Sequence, residues 1–308
     1  MNLLWKNRHV LHGAEKRGIL GNNRERDGAN KKGFAMDKRL IRIRGLIRES
    51  RTVSHDGQSI NCVLLRPKNQ SQKLPGLLWI HGGGYVTGGS YMVYFSRAID
   101  IALEIGAVVL APDYRLAKRN PYPAALEDCY AALAELFHHA EELGIDPARI
   151  SVGGESAGGG LTAALCMFAR DQGVYPIKSQ LPLYPMLDCE DTASSRDNHG
   201  HGWNTARNHA AWKVYLSSLN RELPIPAYAS PARQTDFRNL PPAYTFVGDG
   251  EPFYSETLQY VEKLREAGVS ADYDVYSSAT HAFDLLLPWL KISKAARQRM
   301  LAAARRLL

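Results

Sequence analysis

The chain has 308 residues, which allows one large domain or two small ones, and 45% of them are hydrophobic, an ordinary share for a protein with a full core. The net charge of +7 is unevenly spread: residues 1–51 hold 14 Lys/Arg against 5 Asp/Glu, and the remainder is slightly acidic. No apolar run is long enough to cross a bilayer, and the start, Met1 to Arg8, lacks the apolar stretch of a signal peptide, so a cytoplasmic location is the expectation. Four scattered cysteines, Cys62, Cys129, Cys166 and Cys189, form no C-x-x-C pair and support neither a zinc cluster nor a redox motif.

Residues 1–45 are rich in Gly, Asn, Lys and Arg without an apolar period. They read as a basic segment, mobile or part of a lid, and not as a nucleic-acid-binding module, because nothing later in the chain supports one. Leu46–Val53 and Ser59–Arg66 read as strands joined at Asp56-Gly57, a hairpin signal. Leu77–Ile80 is a short apolar run of the buried-strand kind. Tyr91–Ile105 reads as helix, Ala107–Ala111 as strand, and Ala124–Leu143 as an amphipathic helix closed by Gly144. A strand at Arg149–Gly153 precedes a helix over Leu161–Arg170. Further strands are expected at Ile177–Tyr184, Ala243–Val247 and Ala271–Tyr276, with helices over Phe253–Ala267 and Pro288–Leu308. Alternation of this kind implies an α/β fold with a mostly parallel sheet, helices on both faces, and ligands at the carboxyl ends of the strands.

Residues 188–240 interrupt the alternation and read as a helical cap over those strand ends, with a helix over Thr205–Leu219. His199 and His201 lie in this insertion. Without a nearby cysteine or helical spacing they make a poor metal site.

The chemistry centres on Gly154-Glu155-Ser156-Ala157-Gly158, between a strand and a helix. A G-x-S-x-G motif in this setting reads either as a glycine-rich turn that holds a phosphate or as a nucleophile elbow, with the serine hydroxyl raised over the sheet and the Ala157 N–H ready to face an oxyanion, and the rest of the chain decides between them. A serine hydroxyl needs a base, a group that orients the base, and oxyanion donors. His281 follows the last expected strand and stands in the chain order Ser, acid, His. The acid lies in Gly248-Asp249-Gly250-Glu251-Pro252, where Asp249 and Glu251 are both eligible by spacing. His81-Gly82-Gly83-Gly84 follows a strand and offers main-chain N–H groups.

These pieces, with Asp113-Tyr114-Arg115-Leu116-Ala117 and Pro121-Tyr122-Pro123-Ala124-Ala125-Leu126-Glu127-Asp128, resemble the hormone-sensitive-lipase family of α/β-hydrolase carboxylesterases over roughly residues 45–290. The resemblance implies Ser156 as nucleophile, His281 as base, and the N–H groups of Gly83, Gly84 and Ala157 as the oxyanion hole. The family's acid is usually an aspartate directly before a proline, and that position here is Glu251. The family's Pro-Glu-His after Arg-Leu-Ala is replaced by Lys118-Arg119-Asn120, which puts local support there in question. The implied activity is hydrolysis of small, short-acyl esters through an acyl-enzyme. It needs no metal or organic cofactor, and homo-oligomerisation is left open. A non-catalytic receptor on the same fold would lack the histidine that is present here. An amidase or peptidase would use the same triad.

Overall fold

A computed structural model describes residues 43–220 and 222–308. The basic segment 1–45 therefore lies almost wholly outside the described residues. Eight strands form one sheet in the order β1-β2-β4-β3-β5-β6-β7-β8. They are β1 Leu46–His55, β2 Gln58–Pro67, β3 Leu74–Ile80, β4 Val108–Pro112, β5 Ile145–Glu155, β6 Gln180–Leu183, β7 Ala243–Gly248 and β8 Ala271–Tyr276. The β1–β2 hairpin and the β2–β4 pair are antiparallel, and the pairs from β4 through β8 are parallel. Asp56 and Gly57 at the hairpin tip both take left-handed φ, as a tight two-residue turn requires.

The helices are α1 Arg97–Glu104, α2 Ala124–His138, α3 Ala140–Leu143, α4 Ala157–Gln172, α5 Thr205–Tyr215, α6 Tyr254–Glu266, α7 Phe283–Leu286 and α8 Lys291–Leu307. One core joins Leu77, Trp79, Val109, Leu181 and Phe246 of the sheet to Ile101 of α1 and to Met300 and Ala304 of α8. The alternate residues Leu78, Ile80, Leu110 and Val152 point to the other face and are also fully buried. A parallel sheet covered on both faces explains why its strands read as unbroken apolar runs.

Several expectations need correction. The helix over Tyr91–Ile105 is a 3-10 turn at Ser90–Phe95 followed by α1, because Ser96 is extended and its side chain caps the Ala98 N–H. The helix over Ala124–Leu143 breaks at His139, leaving the short α3 before the left-handed Gly144. The strand over Ile177–Tyr184 shrinks to β6, and the helix over Thr205–Leu219 ends at Tyr215. In each case a periodic apolar pattern ran past the point where local hydrogen bonding changes.

Among the described residues no helix is long and apolar enough to cross a membrane. The four cysteines are free thiols.

Candidate active site

Strand register brings distant loops together. Ile80 pairs with Gly154, so the chain leaving β3 at His81 runs beside the chain leaving β5 at Ser156. Gly248 pairs with Tyr276, so the loop after β7, holding Asp249 and Glu251, runs beside the loop after β8, holding His281.

Ser156 sits at φ 59°, ψ −120°, a conformation costly for any residue with a side chain. It is held there by its own N–H, which donates to the Leu183 carbonyl at 3.0 Å, and by its carbonyl, which accepts from Gly160 and Met186 at 3.0 Å each. A Cβ on Gly158 would strike the Ile80 and His81 carbonyls, so the turn admits only glycine at that close approach.

The Ser156 Oγ lies 2.9 Å from Nε2 of His281, and Nδ1 of His281 contacts the Glu251 carboxylate. A carboxylate only accepts, so Nδ1 carries the proton, and Nε2 is left to accept from the serine hydroxyl. Ser156 and His281 are nearly buried and Glu251 fully so. The second Glu251 oxygen accepts from the Gly248 N–H at 3.0 Å. Asp249 is exposed and accepts instead from the Ser278 N–H at 2.7 Å. The structure thus brings Glu251, and not Asp249, to the imidazole.

Gly83 and Gly84, at φ 114° and 60°, line the cavity above Ser156. Ala157 is the first residue of α4, whose N–H has no intrahelical acceptor. The glycine loop is braced from behind. The His81 ring stacks on Tyr114 at 4.1 Å, and its Nδ1 donates to the Gly82 carbonyl at 2.7 Å. Burial lowers the His81 pKa to about 4, so the ring is neutral. Where the family's Pro-Glu-His is missing, the Arg119 and Asn120 N–H groups close a turn on the Leu116 carbonyl, and Arg115 holds buried Asp128 at 2.8 Å.

The cavity measures about 390 Å³. Its walls are largely apolar, with Trp79, Val93, Phe95, Tyr184, Trp203 and Leu286 among them. His199 and His201 do not enter it: His199 is exposed and paired with Asp197 at 2.8 Å. Among the described residues no group of three His, Cys, Asp or Glu side chains forms a metal site.

Sequence reasoning missed four residues that shape the site. Glu155 stood inside the elbow motif without a role. It is buried, accepts from the Trp79 Nε1–H at 2.7 Å and the Arg97 N–H at 3.0 Å, and burial pushes its pKa up to about 8. Arg97 reaches Asp284 three residues past His281. Tyr184 stands edge-on to the His281 ring at 5.3 Å, and Trp203 lies against Gly84. Only proximity after folding reveals these.

Residues 77–285 match the family described as alpha/beta hydrolase fold. Carboxylesterase NlhH of Mycobacterium tuberculosis is 32% identical over 265 residues, covering 84% of this chain and 82% of its own length. Ethyl acetate hydrolase of Pseudomonas putida is 29% identical over 233 residues, covering 75% and 73%. Among solved structures, bacterial heroin esterase superposes with a TM-score of 0.83 at 35% identity, covering 87% of this chain and 86% of its own. The chain belongs to the α/β-hydrolase family, among its hormone-sensitive-lipase-like members, and is a carboxylic ester hydrolase.

Proposed function

We propose that the chain hydrolyses small, short-acyl carboxylic esters with a Ser156–His281–Glu251 triad through an acyl-enzyme. The single observation that carries this reading is the 2.9 Å approach of Ser156 Oγ to His281 Nε2, with the opposite ring nitrogen on Glu251. In the first step Oγ bonds to the ester carbon while its proton passes to Nε2. The carbonyl π electrons move to oxygen, and the N–H groups of Gly83, Gly84 and Ala157 hold that oxyanion. Collapse breaks the carbon–alkoxide bond, and the alcohol leaves with the proton from Nε2. Water then gives a proton to Nε2 as its oxygen attacks the acyl carbon, and the second collapse returns the proton to Oγ and releases the acid. Glu251 stays ionised and keeps the imidazole in the required tautomer.

The size and apolarity of the cavity support a small ester, as do two relatives named for ethyl acetate and heroin. Residues 188–240 serve as the cap, since Gly202 and Trp203 line the cavity. The cytoplasm, a reducing compartment, suits four free thiols.

The test is hydrolysis of aryl esters from acetyl to lauroyl by the intact protein beside Ser156→Ala, with mass spectrometry after exposure to an aryl dialkyl phosphate. The expected result is fastest turnover at the short end, one phosphoryl adduct on Ser156, and loss of both in the variant. Undiminished turnover by Ser156→Ala removes the mechanism.

A further inference from the structure

Arg97 opens α1 and contacts both segments that carry the proposed triad. Its side chain reaches α7: Nε donates to Asp284 Oδ2 at 2.7 Å, and Nη2 donates to the Asp284 carbonyl at 2.7 Å. Asp284 stands three residues after His281. In the other direction the Arg97 backbone N–H donates to Glu155 Oε1 at 3.0 Å, and Glu155 directly precedes Ser156. Arg97 is itself fixed. The Ser96 hydroxyl caps the start of α1, Nη1 meets Asp100 at 2.5 Å, and Asp100 is held in turn by Arg297 of α8 at 2.8 Å. Arg97, Glu155 and Asp284 are all buried.

Burial works against the Arg97 charge, and Asp284 and Asp100 outweigh it. A buried ion pair is weak evidence for stability, since packed apolar residues of similar volume often do as well or better. The planar guanidinium offers something they do not. Two N–H bonds, one to the side chain and one to the main chain of the same residue, fix both the distance and the angle of α7.

We propose that Arg97 is a positioning residue that sets the spacing between Ser156 Oγ and His281 Nε2 through Glu155 on one side and Asp284 on the other. It touches no reacting atom. The proposal rests on the triad reading of the preceding subsection, and it accounts for a buried cation that the ester chemistry itself does not use. The groups around the guanidinium are Asp100 on α1, Asp284 on α7, Glu155 on β5 and Tyr184 after β6.

The test compares Arg97→Lys, Arg97→Ala, Asp284→Asn and the apolar pair Arg97→Met with Asp284→Leu, all in the full chain, with an aryl acetate as substrate. A lysine keeps the charge but not the fork. The apolar pair keeps the packing and is the variant chosen to stay folded if single substitutions do not. The readouts are Tm, kcat and KM separately, and the low-field proton resonance of the His281 Nδ1–H. The expected result is a kcat lowered by about 10–100-fold, as misplacement on the ångström scale costs, with KM nearly unchanged. The resonance should shift or broaden in each variant that folds, and millimolar guanidinium should restore part of the kcat of Arg97→Ala. Folded variants with wild-type kcat and an unchanged resonance overturn the proposal, as does a lowered Tm with kcat intact below melting. Ser156→Ala is run beside them: turnover surviving there sinks the triad reading itself, whereas an inactive Ser156→Ala beside fully active Arg97 variants sinks only this one.

Discussion

The indole N–H of Trp79 donates at 2.7 Å to the carboxyl of Glu155, one residue before the proposed nucleophile. Among the described residues the hydrogen-bond partners of the Glu155 carboxyl are this indole and the Arg97 backbone N–H, and neither is a cation. Burial dominates those two donors and pushes the pKa up from 4.5 to about 8. The folded protein therefore holds a proton near neutral pH that the unfolded chain releases. The stabilising contribution is complete below the unfolded value of 4.5 and is lost as pH rises through about 8. Urea unfolding of the wild type and of Glu155→Gln from pH 5 to 9 should show the wild type losing on the order of 1–4 kcal/mol more across that window. Parallel stability curves would mean that Glu155 is ionised in the fold.

His81 gives the opposite sign. Burial lowers its pKa to about 4, so the unfolded chain binds a proton that the folded chain refuses between about 6.5 and 4. Stability from this ring is full above the unfolded value and falls as pH drops toward 4. His81→Gln should lower stability at pH 8 yet flatten the acid limb of the pH profile. A variant as acid-sensitive as the wild type would assign that limb to other groups.

Glu251 and Asp249 differ in what they hold. Glu251→Gln keeps an acceptor for the Gly248 N–H but offers no carboxylate to His281 Nδ1, so the imidazole loses its required tautomer. We expect kcat to fall by roughly 10³–10⁴-fold with KM little changed. Asp249→Ala removes the acceptor for the Ser278 N–H and should cost about 1 kcal/mol of stability while leaving kcat within a few-fold. The reverse ranking of the two kcat values would overturn the choice of acid.

The two glycines proposed for the oxyanion hole should also separate. A Cβ on Gly83 would strike the Thr87 backbone carbonyl, at a φ of 114° that no L side chain tolerates well. The atoms that a Cβ on Gly84 would meet first are on the outer edge of the Trp203 ring, at a φ of 60°. The backbone cannot step aside but the indole can. Gly83→Ala is expected to lower kcat by about 10²–10³-fold, the scale of a lost oxyanion donor. Gly84→Ala should cost roughly tenfold or less and mostly alter KM. Equal losses would show that the Gly84 side of the loop is as rigid as the Gly83 side.

Much of this site is readable one residue at a time, because elbows, glycine loops and capped turns are local chemistry. Gly154-Glu155-Ser156-Ala157-Gly158 implied its strand–turn–helix setting, and β8 matches its expected bounds of Ala271–Tyr276. The boundaries that failed, at Ser96 and His139, are places where one hydrogen bond ends a pattern that hydrophobicity continues. Glu251 could be preferred over Asp249 only by family resemblance, since both sit in the same turn and only the pairing of β7 with β8 aims one of them at His281. The Arg97–Asp284 contact spans 187 residues of sequence, and Trp203 meets Gly84 across an irregular insertion. No periodicity records such meetings.

Trp203 lies against Gly84, and its ring centroid is 6.3 Å from that of His281 and 6.4 Å from that of Phe253. Its N–H reaches Asn208 Oδ1 only at 3.4 Å, so the indole is held mainly by packing. The departing alcohol oxygen must come close to His281 Nε2 to collect its proton, and Trp203, in the cavity wall, stands 6.3 Å from that imidazole. Trp203→Ala should therefore act on the alcohol and leave the preference among acyl chains alone. With the acyl group kept as acetate, kcat/KM for esters of bulky alcohols is expected to rise about tenfold relative to ethyl acetate, the scale of one pocket wall. Ethyl acetate itself should turn over more slowly as water reaches the imidazole. A variant that changes its acyl-length profile and not its alcohol profile would move Trp203 to the acyl side and reverse the direction in which substrate lies across Ser156.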